Sequence, residues 1–111
     1  MSHTVARIVT GTLANGGATF DADGNEIRSG LSVGGIVPAV RIPVRDFTPE
    51  ALAAAVYFFG GAGTFGTWIE EGEVWIEPVT ILRDRAEAES LGRARGEIAI
   101  YDLDLGEEIR F

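Results

Sequence analysis

The chain has 111 residues, no cysteine and a formal net charge of −8 at pH 7. That length suits one domain with a core of its own, and the missing cysteines exclude disulfides, thiolate zinc sites and cysteine nucleophiles. The acidity argues against direct nucleic-acid binding; no apolar run reaches a membrane span, and MSHTVARIVTGTLA lacks a signal-peptide pattern, so a cytoplasmic location is expected.

The charge is lopsided. Residues 1–65 carry four Arg against five acids, whereas residues 66–111 carry five Arg against twelve. Lysine is absent, which with the many Ala, Gly and Val residues points to a GC-rich genome.

In chain order, Thr4 to Leu13 is rich in Val, Ile and Thr and reads as a first strand before Asn15-Gly16-Gly17. Ala18-Thr19-Phe20 follows as a short strand, and Asp21 to Glu26 is a cluster of turn formers. Ser29 to Gly35 is punctuated by glycine and expected to be irregular. Ile36 to Val44 is β-rich, but Pro38 and Pro43 confine it to a sheet edge or interrupt it. Thr48-Pro49-Glu50 is a helix start, with a capping hydroxyl, a proline at the first helical position and an acid at the positive end of the dipole. That helix, about 49–59, turns Leu52, Val56 and Phe59 to one face and stops at Gly60-Gly61.

Thr67 to Glu70 and Glu73 to Glu77 flank Glu71-Gly72, a hairpin signal that sets Trp68 against Trp75 and Ile69 against Val74 in a two-residue loop. Pro78 closes the strand or forces a bulge. Asp84-Arg85-Ala86-Glu87 opens a second helix, about 85–95, ended by Gly96. Ile98 to Leu103 is a nearly continuous apolar strand suited to the middle of a sheet, and Ile109 to Phe111 returns as a short one. The expected fold is a single α+β domain over residues 1–111, with a mainly antiparallel sheet of four to six strands and both helices on one face.

Chemistry-bearing motifs are few. The lone histidine, His3, sits at a terminus expected to fray, so a nucleophilic triad has no support. Gly61 to Gly66 matches G-x-G-x-x-G but follows a helix and enters a strand, the reverse of a dinucleotide site. Asp21 to Glu26 resembles the start of a calcium loop, with its glycine two positions early and strands on both sides; a hairpin turn is expected there. Glu70, Glu71, Glu73 and Glu77 crowd one hairpin, yet glycosidase chemistry needs two carboxyls roughly 5–10 Å apart in a cleft. No catalytic, cofactor or metal residue is therefore assigned.

Read together, Gly66-Thr67-Trp68, Asp84-Arg85, Glu87-Ala88, Leu91-Gly92-Arg93, Ala99 to Leu103 and Glu107-Glu108-Ile109 resemble a set of short uncharacterised proteins from actinobacteria and their tailed phages. These share an ordered G-T-W…G-x-V…D-R-x-E-A…A-I-x-D-L…E-E-I pattern. Upstream, Gly16 to Phe20, Ser29 to Gly34 and Thr48 to Leu52 fit as well. Glu77-Pro78 departs from the pattern, which usually runs on there through Asp. The resemblance implies a phage or prophage source rather than a mechanism.

The expected function is a non-enzymatic accessory protein that binds a host or phage protein. Its contact surface would be Trp68 and Trp75 with Glu70, Glu71 and Glu73, because aromatics rimmed by polar groups make interface hot spots. Two alternatives are a nucleic-acid mimic, which would gather its carboxylates on one face, and a structural protein that self-pairs through Ile36 to Val44 or Ile109 to Phe111. No membrane partner is expected.

Overall fold

Helix, not strand, opens the chain. In the computed structural model, which describes residues 2–111 with side chains from Thr4 onward, helix α1 spans Ser2–Asn15. Its β-branched content reads locally as strand, but Val5, Ile8, Val9 and Thr12 recur at helical spacing and all four are buried. Propensity costs only tenths of a kcal/mol per residue, roughly, so one buried face outweighs it. Gly16, at φ +87°, ends the helix and donates its N–H to the Thr12 carbonyl at 2.8 Å. The side chain of His3 lies outside the described residues.

The other elements follow as β1 (Gly17–Asp21), β2 (Leu31–Val33), β3 (Val40–Pro43), α2 (Pro49–Phe58), β4 (Thr64–Glu70), β5 (Glu73–Pro78), β6 (Thr80–Leu82), α3 (Arg85–Ala94), β7 (Ala99–Asp102) and β8 (Glu107–Arg110). The α+β class and the antiparallel pairing hold. The strands, however, divide into two four-stranded sheets, in the orders β1-β4-β5-β3 and β6-β2-β7-β8.

Both expected helices form where their caps place them. Thr48 Oγ1 accepts the Ala51 N–H at 3.1 Å, and an Asp84 carboxylate oxygen accepts the Ala86 N–H at 2.9 Å. They do not share a face. α2 joins α1 over the first sheet, around Phe20, Leu52, Phe65, Val74 and Ile76, whereas α3 covers the second sheet at Leu31, Val33, Ala88 and Ile100. One apolar face per sheet needs one cover, and the extra helix α1 supplies what a single layer would not have required.

The hairpin forms in the two-residue register, with Trp68 opposite Trp75 and Ile69 opposite Val74. Glu71 (φ +50°) and Gly72 (φ +79°) both take the left-handed conformation that such a turn demands. Past Pro78 the chain bends rather than stops. Val79 donates to the Thr64 carbonyl at 3.0 Å, and the following residues enter the second sheet as β6. A bend of this kind lets one strand serve two sheets.

Ser29 to Gly35, expected to be irregular, holds β2, which is wholly buried and pairs with both β6 and β7. β3 is an edge strand and β7 an internal one, as Pro43 and the apolar run imply.

Candidate functional site

Side chains alternate along a strand, so each sheet has a second face opposite its helices. On the first sheet that face carries Gly17, Thr19, Gly66, Trp68 and Glu77; on the second it carries Ser32, Ala99 and Tyr101. All of these line one cleft of about 630 Å³. Packed sheets ordinarily interdigitate large apolar side chains. Here the facing positions are mostly small, and the space between the sheets stays open.

At one side of the cleft two carboxylates converge. Glu77 is only 8% exposed, and its Oε1 accepts the Gly35 N–H at 2.8 Å. Glu97, from the turn after α3, closes on the same place. A methyl group at Gly34 would collide with both acids, so glycine there is what lets them approach. Burial, first, and the nearby Glu97 charge push the Glu77 carboxyl above its ordinary pKa, against the Gly35 hydrogen bond. Burial also raises Glu97, and the Arg95 charge partly offsets it. Arg95 Nη1 itself donates to the carbonyls of Val33 (3.3 Å) and Gly34 (3.2 Å) and to Thr80 Oγ1 (3.1 Å). Among the described residues neither acid makes a salt bridge. Glu26, Glu108 and Arg28 complete the charged lining, and Arg28 is bound by Glu26 at 2.7 Å.

The hairpin residues divide between this cleft and the surface beside it. Trp68 lines the cleft and meets Trp75 edge to face, with ring centroids 5.5 Å apart. The Arg41 guanidinium lies 4.4 Å over the Trp75 ring and donates to Glu73 at 2.8 Å. Glu70 is paired with Arg110 of β8 at 3.4 Å, a bridge between the two sheets. Glu71 stands exposed at the turn. Trp68, Glu70, Glu73 and Trp75 thus share one face, with two arginines drawn onto it. Both indole Nε1 atoms are shut from solvent, with no acceptor among the described residues.

Glu97, Tyr101 and Ser32 had no local signal. Ser32 and Tyr101 reach the cleft through pairing between strands distant in sequence, and Glu97 from the connection between α3 and β7. Glu77 did have one: an acid at an inward position of a strand, two residues after Trp75.

Two further motifs have a part in the fold. The Asp21 carboxylate accepts the N–H groups of Asp23 and Asn25, each at 2.9 Å, and so folds its own turn. Gly61 to Gly63 lie in the connection between α2 and β4, and Thr64 to Gly66 open β4 itself. Separately, Tyr57 and Phe58 at the end of α2 are 88% and 73% exposed, and Phe58 lines a hollow with the exposed Ile36 and Val37.

No family model, curated protein or solved structure matches this chain.

Proposed function

We propose that this chain is a non-enzymatic accessory protein of a phage or prophage that binds another protein of the phage or its host. The contact surface is the acidic hairpin together with the cleft beside it. One observation carries the reading: Trp68 stands at the junction of the two, a wall of the open cleft on one side and the partner of Trp75 on the other.

Energetics favour the same surface. Each buried, unpaired indole N–H costs about 1–3 kcal/mol, a loss that purely apolar rings would avoid. A tryptophan pair that carries that cost, with an arginine on one ring and acids around it, has the make-up of an interface hot spot. The single histidine and the absence of cysteine support a binding rather than a catalytic role. The ordered likeness to actinobacterial phage proteins supports the source.

The test is affinity capture from an actinobacterial host lysate, comparing the wild-type chain with Glu71→Arg, an exposed turn variant, and Trp68→Phe. The expected result is one stoichiometric partner, lost with Glu71→Arg and weakened with Trp68→Phe, while both variants melt as cooperatively as the parent. Equal capture by all three would overturn the hairpin as the contact surface.

A further inference from the structure

We infer that the cleft between the sheets is a site for an organic cation, an ammonium or guanidinium group on a short apolar stem. Glu77 and Glu97 hold the charge, and Trp68 and Tyr101 flank the stem. The inference rests on the binding reading above and names the chemistry of what enters.

Four observations converge on it. First, the cleft is built open: Gly17, Gly66, Ser32 and Ala99 occupy facing positions where a packed sandwich would place large side chains. Second, Glu77 is more than nine-tenths buried, yet among the described residues its carboxylate takes one hydrogen bond, from Gly35 to Oε1, and pairs with no cation, while Oε2 still reaches solvent. A buried carboxylate is costly unless a positive group compensates it. Third, Glu97 is brought to the same point by the bare backbone of Gly34, so two acids address one position. Arg95, whose charge partly offsets Glu97, spends Nη1 on two carbonyls and a hydroxyl, and Arg28 of the cleft lining is held by Glu26. Fourth, the same cleft is lined by the aromatic side chains of Trp68 and Tyr101, and an aromatic ring attracts a cation rather than an anion.

The same group occurs on a free amine or guanidine metabolite and on a Lys or Arg side chain of a partner protein. Calorimetric titration of the intact protein separates them, with agmatine as the free cation and an end-blocked Gly-Gly-Arg-Gly-Gly peptide as the side chain. The same peptide with citrulline for arginine is the neutral control.

The expected result is saturable one-to-one binding of a cationic probe, no binding of the citrulline peptide, and at least about tenfold weaker affinity in Glu77→Gln. Glu97→Gln is the second variant should Glu77→Gln fold poorly. Agmatine binding as tightly as the peptide would assign the site to a free metabolite, and tighter peptide binding to a partner's side chain. No saturable binding of either cation at millimolar concentration, equal binding of the citrulline peptide, or affinity indifferent to both substitutions would overturn the inference. Those failures leave the hairpin reading standing if Glu71→Arg still abolishes capture. Cation binding without any captured protein would separate the two the other way.

Discussion

Glu77 condenses the account into one side chain. Its carboxyl pKa is raised by burial and by Glu97, so the folded state holds the proton to higher pH than the unfolded state, whose ordinary value is near 4.5. The sign follows. Below the unfolded pKa both states are protonated and the group costs nothing. As pH rises through the folded pKa the charge appears in the buried site and stability falls. Glu77→Gln keeps an oxygen acceptor for the Gly35 N–H and removes the charge. The variant should therefore melt higher than the parent at pH 7, with the difference shrinking as pH falls toward 4. Thermal unfolding at several pH values measures this, and a variant destabilised equally at both ends would refute it. The substitution that stabilises the empty protein is the one expected to weaken cation binding, the exchange of stability for function common at binding sites.

Among the elements, the β4–β5 hairpin shows what local sequence can encode. Glu71-Gly72 set loop length and register because a two-residue turn admits few backbone conformations, and the tryptophans met as the pattern required. The caps at Thr48 and Asp84 were legible for the same reason, since each satisfies N–H groups within its own helix turn. α1 was not legible as a helix from its residue types: Val5, Ile8, Val9 and Thr12 favour strand, and only their spacing and the apolar sheet beneath them decide the matter. β2 was hidden because its three residues lie between glycines, two of which, Gly30 and Gly34, are needed for close approach to neighbours distant in sequence. The turn itself offers a prediction. Glu71 at φ +50° is strained, and asparagine tolerates that conformation better. Glu71→Asn should stabilise the fold by on the order of 0.5 kcal/mol, seen as a higher denaturant midpoint at unchanged slope. A lowered midpoint would contradict the turn geometry.

At the scale of the whole molecule, α1 and α2, the first sheet, the second sheet and α3 lie in sequence, and each sheet has its outer face covered. What distinguishes this arrangement from an ordinary sandwich is its unfilled middle. The β5–β6 bend and the Glu70–Arg110 pair tie the two sheets together, with strand residues of both and the Glu26–Arg28 loop lining the cleft. The carboxylates that meet there come from Glu77 on one sheet and Glu97 after the helix on the other. No window of the sequence contains both with their partner Gly34, which is why the hairpin was readable and the cleft was not. The exposed Tyr57 and Phe58 lie at the C-terminal end of α2 and form a natural internal control, since both are accessible and the hollow lined by Phe58 has no acid among its lining residues.

The most direct test of the cleft as the binding site is a ¹⁵N–¹H NMR titration with agmatine, following the two tryptophan indole signals and the backbone amides. Progressive shifts of the Trp68 indole and of Gly34, Gly35 and Tyr101, with Tyr57 and Phe58 unmoved, are the predicted result. Shifts confined to the end of α2, or none at saturating agmatine, would contradict it.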